Sequence, residues 1–216
     1  MLVARTEEKL KRFEGWKGDF QGFFIGLKLD NSKGYFEAHR RLYEQDVKAP
    51  MLALMRELEP EFGPGKVFRI NRDLRFSADK SPYKTNIAGD AERGGYVHLD
   101  ADGLYAARGW WMVTPGQLAR YRAAVAGPAG AELEEIVEEL EAKGLTIGGE
   151  QLKRVPPPHP QDHPRGRLLR HKGIYAGKRF GIGPWLATPR AGEMVAEVWR
   201  EAGALTGWLD REVGPD

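Results

Sequence analysis

Residues 96–112 read YVHLDADGLYAARGWWM. Residues 96–100 and 104–112 are two strand-like runs joined at Asp102-Gly103. An Asp-Gly step between such runs is a hairpin signal, because glycine enters the left-handed turn region without steric cost. An antiparallel hairpin therefore sits in the middle of the chain, and the flanks decide the fold class.

Just upstream, residues 66–76 read KVFRINRDLRF, close to strict alternation, which predicts a further strand. Before it the period is helical. Phe20, Phe23, Phe24 and Leu27 share one stripe, with Asp19 as N-cap. Asp30-Asn31-Ser32 breaks that helix and caps the next, over residues 33–46, with Phe36, His39 or Arg40, and Tyr43 on a stripe. Pro50 suits the first turn of another helix, with Met51, Leu54, Met55 and Leu58 facing inward.

Downstream, Thr114-Pro115-Gly116-Gln117 has the spacing of a capping box. Residues 128–143 predict a helix closed by Gly144, and 145–147 a short strand. A proline-rich loop spans 155–166, 173–182 predict a strand, and Thr188-Pro189 opens a helical region to about 212. Helices, then a central hairpin, then helices imply an α+β fold. Its expected form is a central antiparallel sheet packed by helices from the N- and C-terminal parts. No composition shift marks a boundary, so residues 1–216 are expected to form a single domain.

The chain has 216 residues, 41% hydrophobic and 30% charged, a globular composition. The formal net charge of +2 is too small to draw a polyanion or a membrane by bulk attraction. There is no cysteine, which excludes disulfides, thiolate metal sites and a thiol nucleophile. The N-terminal MLVARTEEKLKRF is charged and lacks an apolar run of signal-peptide length, so a cytoplasmic location is expected, with no membrane association. Asparagine occurs only at 31, 71 and 86. Depletion of thermolabile residues fits a thermophilic source, although GC-rich coding gives the same picture.

The segment most able to carry chemistry is residues 69–86, RINRDLRFSADKSPYKTN. Arg69, Arg72, Arg75, Lys80 and Lys84 accompany Asp73 and Asp79, giving a local net charge of +3. On a regular strand Arg69, Asn71, Asp73 and Arg75 share one face. Arg72 falls with Phe68, Ile70, Leu74 and Phe76 on the apolar face. A lone buried charge is costly, so Arg72 is expected to be largely buried against a carboxylate, Asp79 or Glu37. Guanidinium forks match phosphate or carboxylate, lysines add point charge, and Tyr83 offers a hydroxyl or a stacking face. The competing reading is a charged strand held by structural ion pairs.

This run, R-I-x-R-D-x-R-F-S-x-D-K-x-P-Y-K-T-N, resembles the hallmark of the domain-of-unknown-function family 2461. Phe23-Phe24-x-x-Leu27, Asp30-Asn31, Tyr35-Phe36 and His39-Arg40 resemble the family's N-terminal helices. Leu152-Lys153-Arg154, Asp162-His163-Pro164 and residues 168–171 resemble its C-terminal half. The resemblance covers about residues 19–212. It departs at Asp30, at Tyr35 and at Arg108-Gly109-Trp110-Trp111, where asparagine, tryptophan and a glycine-rich stretch are the family pattern. It implies a fold and no activity.

Other signals are weaker. The five histidines lack the spacing of a helical metal site, no phosphate-binding glycine loop or nucleophile elbow is present, and no cofactor is expected. His163 beside Asp162 fits an oriented base or, more simply, a loop cap. Asp73 and Asp79 stand among cations that serve as their partners, so no metal site is expected. Trp110 and Trp111 point to opposite faces of their strand, one toward the core and one available for stacking. The leading expectation is a module for an anionic small molecule, using Arg69, Arg72, Asp73, Arg75, Asp79, Lys80, Tyr83 and Lys84. The alternatives are a non-enzymatic structural or interaction protein, and a single-stranded nucleic-acid binder using the same cations with Trp110 or Trp111. The sequence assigns no general acid, base or nucleophile, and no oligomeric state.

Overall fold

A computed structural model describes residues 12–75, 80–93, 95–111 and 113–215. Residues 1–11 of the charged N-terminus, Phe76 to Asp79 of the basic segment, and Met112 lie outside the described residues.

Among the described residues six strands form one antiparallel sheet in the order β1-β2-β3-β4-β6-β5. They are β1 (Gly65–Val67), β2 (Asn86–Ala91), β3 (Gly95–Asp100), β4 (Gly103–Trp110), β5 (Thr146–Gly148) and β6 (Ile174–Phe180). The helices are α1 (Phe20–Leu29), α2 (Lys33–Leu42), α3 (Ala49–Phe62), α4 (Pro115–Ala126), α5 (Ala129–Ala142), α6 (Gly166–Leu169), α7 (Arg190–Glu201) and α8 (Gly203–Glu212). The fold is α+β, as the order of periodicities implied. No described helix is long and apolar enough to cross a membrane.

The chain divides into two compact units. The first comprises Met1–Arg93, His98–Leu104 and Gly181–Met194. Here the Asp19 carboxylate accepts the Gly22 N–H at 2.8 Å, which caps α1, and the Ser32 hydroxyl accepts the Tyr35 N–H, which caps α2. A π-helical segment, Tyr43–Lys48, fuses α2 to α3, so the two helices expected over 33–46 and from Pro50 run on without a break. Its Val47 carbonyl accepts the Trp16 indole N–H at 3.2 Å. Phe23, Phe24, Phe36, Tyr43, Met51 and Leu54 form the core.

The strand expected over 66–76 is corrected. The regular ladder is Gly65–Val67 against Gly89–Ala91, and after it only Asn71 and Tyr83 pair as an isolated bridge. Between these pairings, residues 68–70 on one side face residues 84–88 on the other. Two extra residues on the return side interrupt the ladder, as a bulge does. Burial nevertheless alternates as expected: Arg69, Asn71, Asp73 and Arg75 are exposed, Phe68, Arg72 and Leu74 are half-buried, and Ile70 is buried. Strand β2 had no counterpart in the sequence reading. Its small residues sit under α3, where a Cβ at Gly89 would come 2.9 Å from the Lys66 carbonyl oxygen and 3.1 Å from the Met55 sulfur.

The second unit comprises Gly94–Val97, Tyr105–Phe180 and Val195–Asp216. The Thr114–Gln117 capping box forms in both directions and starts α4, and Gly144 closes α5 at φ 79°. The Tyr121 hydroxyl donates to the Leu168 carbonyl, and the Trp208 indole to that of Ala129, both at 3.0 Å. Gly95 lies against the Trp199 ring, 2.3 Å from where its Cβ would be, so no larger residue fits there.

Candidate functional site

The basic segment belongs to the first unit, and its geometry starts at the corner between α1 and α2. Asn31, in that corner, reaches across to residue 83. Its amide N–H donates to the Tyr83 carbonyl at 3.1 Å, and its carbonyl accepts the Tyr83 N–H at 2.9 Å. One side chain thus satisfies both backbone groups that Tyr83 turns away from the Asn71 arm. The Arg72 N–H donates to Pro82 and the Lys84 N–H to Ile70, so the two arms stay paired on either side of the bridge.

Tyr83 is 6% exposed, and its ring stacks on Phe36 with centroids 4.4 Å apart. It is a core residue that orients the backbone around it. Arg72 was expected to be largely buried; it is half-buried, and its Nε donates to the Tyr83 carbonyl at 2.8 Å. Of its two expected carboxylate partners, Glu37 is held by Arg40 through bonds of 2.5 and 2.8 Å, and Asp79 lies outside the described residues.

The remaining charges separate into two groups. Arg75 grips Asp73 through both carboxylate oxygens, at 2.9 and 2.6 Å, and this hydrogen bonding holds the Asp73 carboxyl below its ordinary range. The Lys80 ammonium donates to the Leu74 carbonyl at 3.0 Å. Arg75 and Asp73 are occupied with one another, and Lys80 with the backbone. Lys84 differs. Its ammonium lies 5.5 Å from the Phe68 ring centre, and among the described residues no carboxylate is within ion-pair reach of it or of Arg69. Burial, and then the charges of Arg69 and Arg72, hold Lys84 below the usual lysine range.

The basic segment therefore holds two different sets. Arg69, Arg72 and Lys84 come together as a cationic group in which both guanidinium groups act on the lysine. Asp73 and Arg75 form a pair, Lys80 bonds the Leu74 carbonyl, and Tyr83 supports from beneath. Asn31, in sequence a helix-breaking and capping position within the family's N-terminal motif, belongs to the site as well. Its signal was its rarity, one of three asparagines in the chain, within a helix-breaking triplet.

A family model described as "Conserved hypothetical protein (DUF2461)" matches residues 19–208. The chain belongs to this family. The match contains the basic segment, the Asn31 corner and the whole sheet, so DUF2461 is the fold's family and not that of one element. Neither the curated proteins nor the solved structures contain a significant match to the chain.

Outside the basic segment, His163 is a loop cap: its Nδ1 accepts the Arg165 N–H at 3.0 Å. That bond uses the lone pair a general base would need. His171 is buried, its Nδ1 lies 3.2 Å from the Gly173 carbonyl oxygen, and burial lowers its pKa, which favours the neutral ring.

Proposed function

We propose that this DUF2461 protein binds a small phosphorylated or carboxylated molecule at Arg69, Arg72 and Lys84. The observation that supports the reading most directly is the crowding of these cations. Lys84 is partly buried and repelled by two guanidinium groups, while neither it nor Arg69 has a carboxylate partner among the described residues. Like charges brought together cost stability, and a bound anion lowers that cost. Arg69 and Arg72 would supply planar forks and Lys84 a point charge. Asn31 and Tyr83 fix the backbone that carries them, which lowers the ordering cost of binding.

The same observations favour a structural role for the other half of the segment. Arg75 and Lys80 already have acceptors, and an anion would have to displace them.

The test is thermal unfolding with sulfate, phosphate, pyrophosphate and citrate. At a hundredfold excess over Kd, ligand binding stabilises by about 2.7 kcal/mol. The expected result is stabilisation of the wild type and of Arg75→Ala/Lys80→Ala, and its loss in Arg69→Ala/Lys84→Ala. Equal stabilisation of both double variants would reject this site.

A further inference from the structure

In the second unit the ladder between β5 and β6 ends at Gly148 and Tyr175 and resumes as a single bridge between Gln151 and His171. Residues 149 and 150 lie opposite residues 172 to 174, so the pairing is bulged there. Two backbone bonds clip the bridge. The Leu152 N–H donates to the Arg170 carbonyl at 2.8 Å, and the Lys172 N–H to that of Glu150 at 2.7 Å. Residues 153–169 between these bonds form one excursion from the sheet, which contains the proline-rich stretch and α6.

The base of this loop is packed around the His171 ring, which is 1% exposed. Gly149 makes room for it. At φ 127° its backbone lies against the ring, and a Cβ there would fall 3.2 Å from His171 Nδ1 and collide with the Gly173 carbonyl. His171 Nδ1 is itself 3.2 Å from that carbonyl oxygen, which places the neutral ring's proton on Nδ1. Nε2 is buried and has no hydrogen-bond partner among the described residues. A second proton would therefore put a positive charge in the interior and leave a donor without an acceptor.

The surroundings offer that charge no compensation. The charges that act on the ring are those of Arg167 and Arg170, both cationic. The neighbouring carboxylates are committed: Glu141 on α5 holds Arg167, and Glu150 on the facing arm holds Lys172. From α4 comes Tyr121, whose hydroxyl donates to the Leu168 carbonyl and is kept protonated by burial. Beyond the base, Arg165 ties the loop to the carbonyls of Val125 and Gly127, so a rearrangement at His171 is confined to the two clipped arms.

We infer that His171 is an acid-sensitive latch, and that protonating its ring unclips the base of the 153–169 loop from the β5–β6 edge. Opening exposes the ring, where an ordinary histidine accepts a proton near about pH 6.5. In the closed form burial above all, and then the two arginines, hold the ring below that value against the opposing pull of the Gly173 carbonyl. The open form thus binds more protons in this window. The closed form is fully favoured above it and loses ground as pH falls. The latch shares no residue with the basic segment.

Its test is amide hydrogen exchange of the full chain between about pH 7 and pH 5, expressed as protection factors so that the intrinsic pH dependence of exchange is removed. Protection at the Leu152 and Lys172 amides should fall by up to about tenfold per pH unit, the limit for one coupled proton, while Val137 on α5 keeps its protection. In His171→Asn, whose amide can keep the Gly173 contact and cannot take up a proton, the fall should vanish. In His159→Gln/His163→Asn, which removes the loop's other titrating rings, it should persist. A pH-independent wild type, a His171→Asn variant with the wild-type response, or loss of the response in the double variant would each overturn the proposal. If His171→Asn does not fold, the titration of the His171 ring in the wild type decides. A midpoint shared with the Leu152 and Lys172 amides supports the latch, and separate midpoints overturn it.

Discussion

The two halves of the basic segment contain the same kinds of residue and behave differently. Around residues 73–80 each described cation has an acceptor: Arg75 holds Asp73 and Lys80 holds a backbone carbonyl. Around residues 69, 72 and 84 three cations face one another, and the lysine among them gives up its proton more easily than usual. Counting charges along the sequence makes the halves equivalent. What separates them is pairing in space, because the return arm sets Lys84 beside Ile70, where the charges of Arg69 and Arg72 reach it. Net charge selects a segment, and pairing in space decides which of its cations crowd one another.

The comparison breaks most severely if its support is removed. Tyr83→Ala takes away a buried ring stacked on Phe36 and should cost about 3–5 kcal/mol in chemical denaturation. A near-neutral Tyr83→Ala would mean that the tyrosine is not core. Asn31→Ala leaves the Tyr83 N–H without its partner and the Tyr83 carbonyl with Arg72 Nε alone. Its expected cost is about 1–3 kcal/mol, with loss of anion-induced stabilisation even though no cation is touched.

Lys84 sharpens the comparison. Its folded pKa is depressed, so between the folded and unfolded values the unfolded chain binds more protons, and stability rises with pH across that window. Lys84→Met should remove this alkaline rise, raise the midpoint at neutral pH in the absence of anions, and abolish the anion response. In the wild type anion affinity should fall as pH climbs through the folded pKa, earlier than for an ordinary lysine. Denaturation curves between neutral and alkaline pH, with and without phosphate, check both signs. The smallest effect belongs to Arg75→Ala. An exposed pair contributes about 0–1 kcal/mol, so stability and anion response should both stay close to wild type.

How far this was legible in the sequence varies by element for physical reasons. Caps are local chemistry, and Asp19 and the Thr114–Gln117 box were readable because their partners lie three residues away. The central hairpin was readable from alternation and from Gly103, whose φ of 119° suits glycine. Strand β2, NIAGDA, was not, since its glycine and alanines have poor strand propensity and are there to let α3 approach. In residues 68–75 the alternation of burial came through while the ladder did not. Side-chain hydrophobicity records which way a residue faces, and nothing in it records how many residues return on the opposite arm. The site was legible as a set of charges and illegible as a set of pairings, because Arg75 and Lys84 look alike until the fold assigns one a carboxylate.

The Asn31 clamp has a consequence for how the protein acquires its cationic group. The clamp joins positions 52 residues apart in the chain. Contacts of such separation carry a large loop-closure entropy and form after local structure is in place. The helical corner must exist before the arm around residue 83 is pinned, so the arrangement of Arg69, Arg72 and Lys84 is a late product of folding. A peptide covering only residues 66–91 holds all three cations and lacks the anchor that sets their spacing. It would meet an anion as a flexible polycation, with an affinity governed by ionic strength alone.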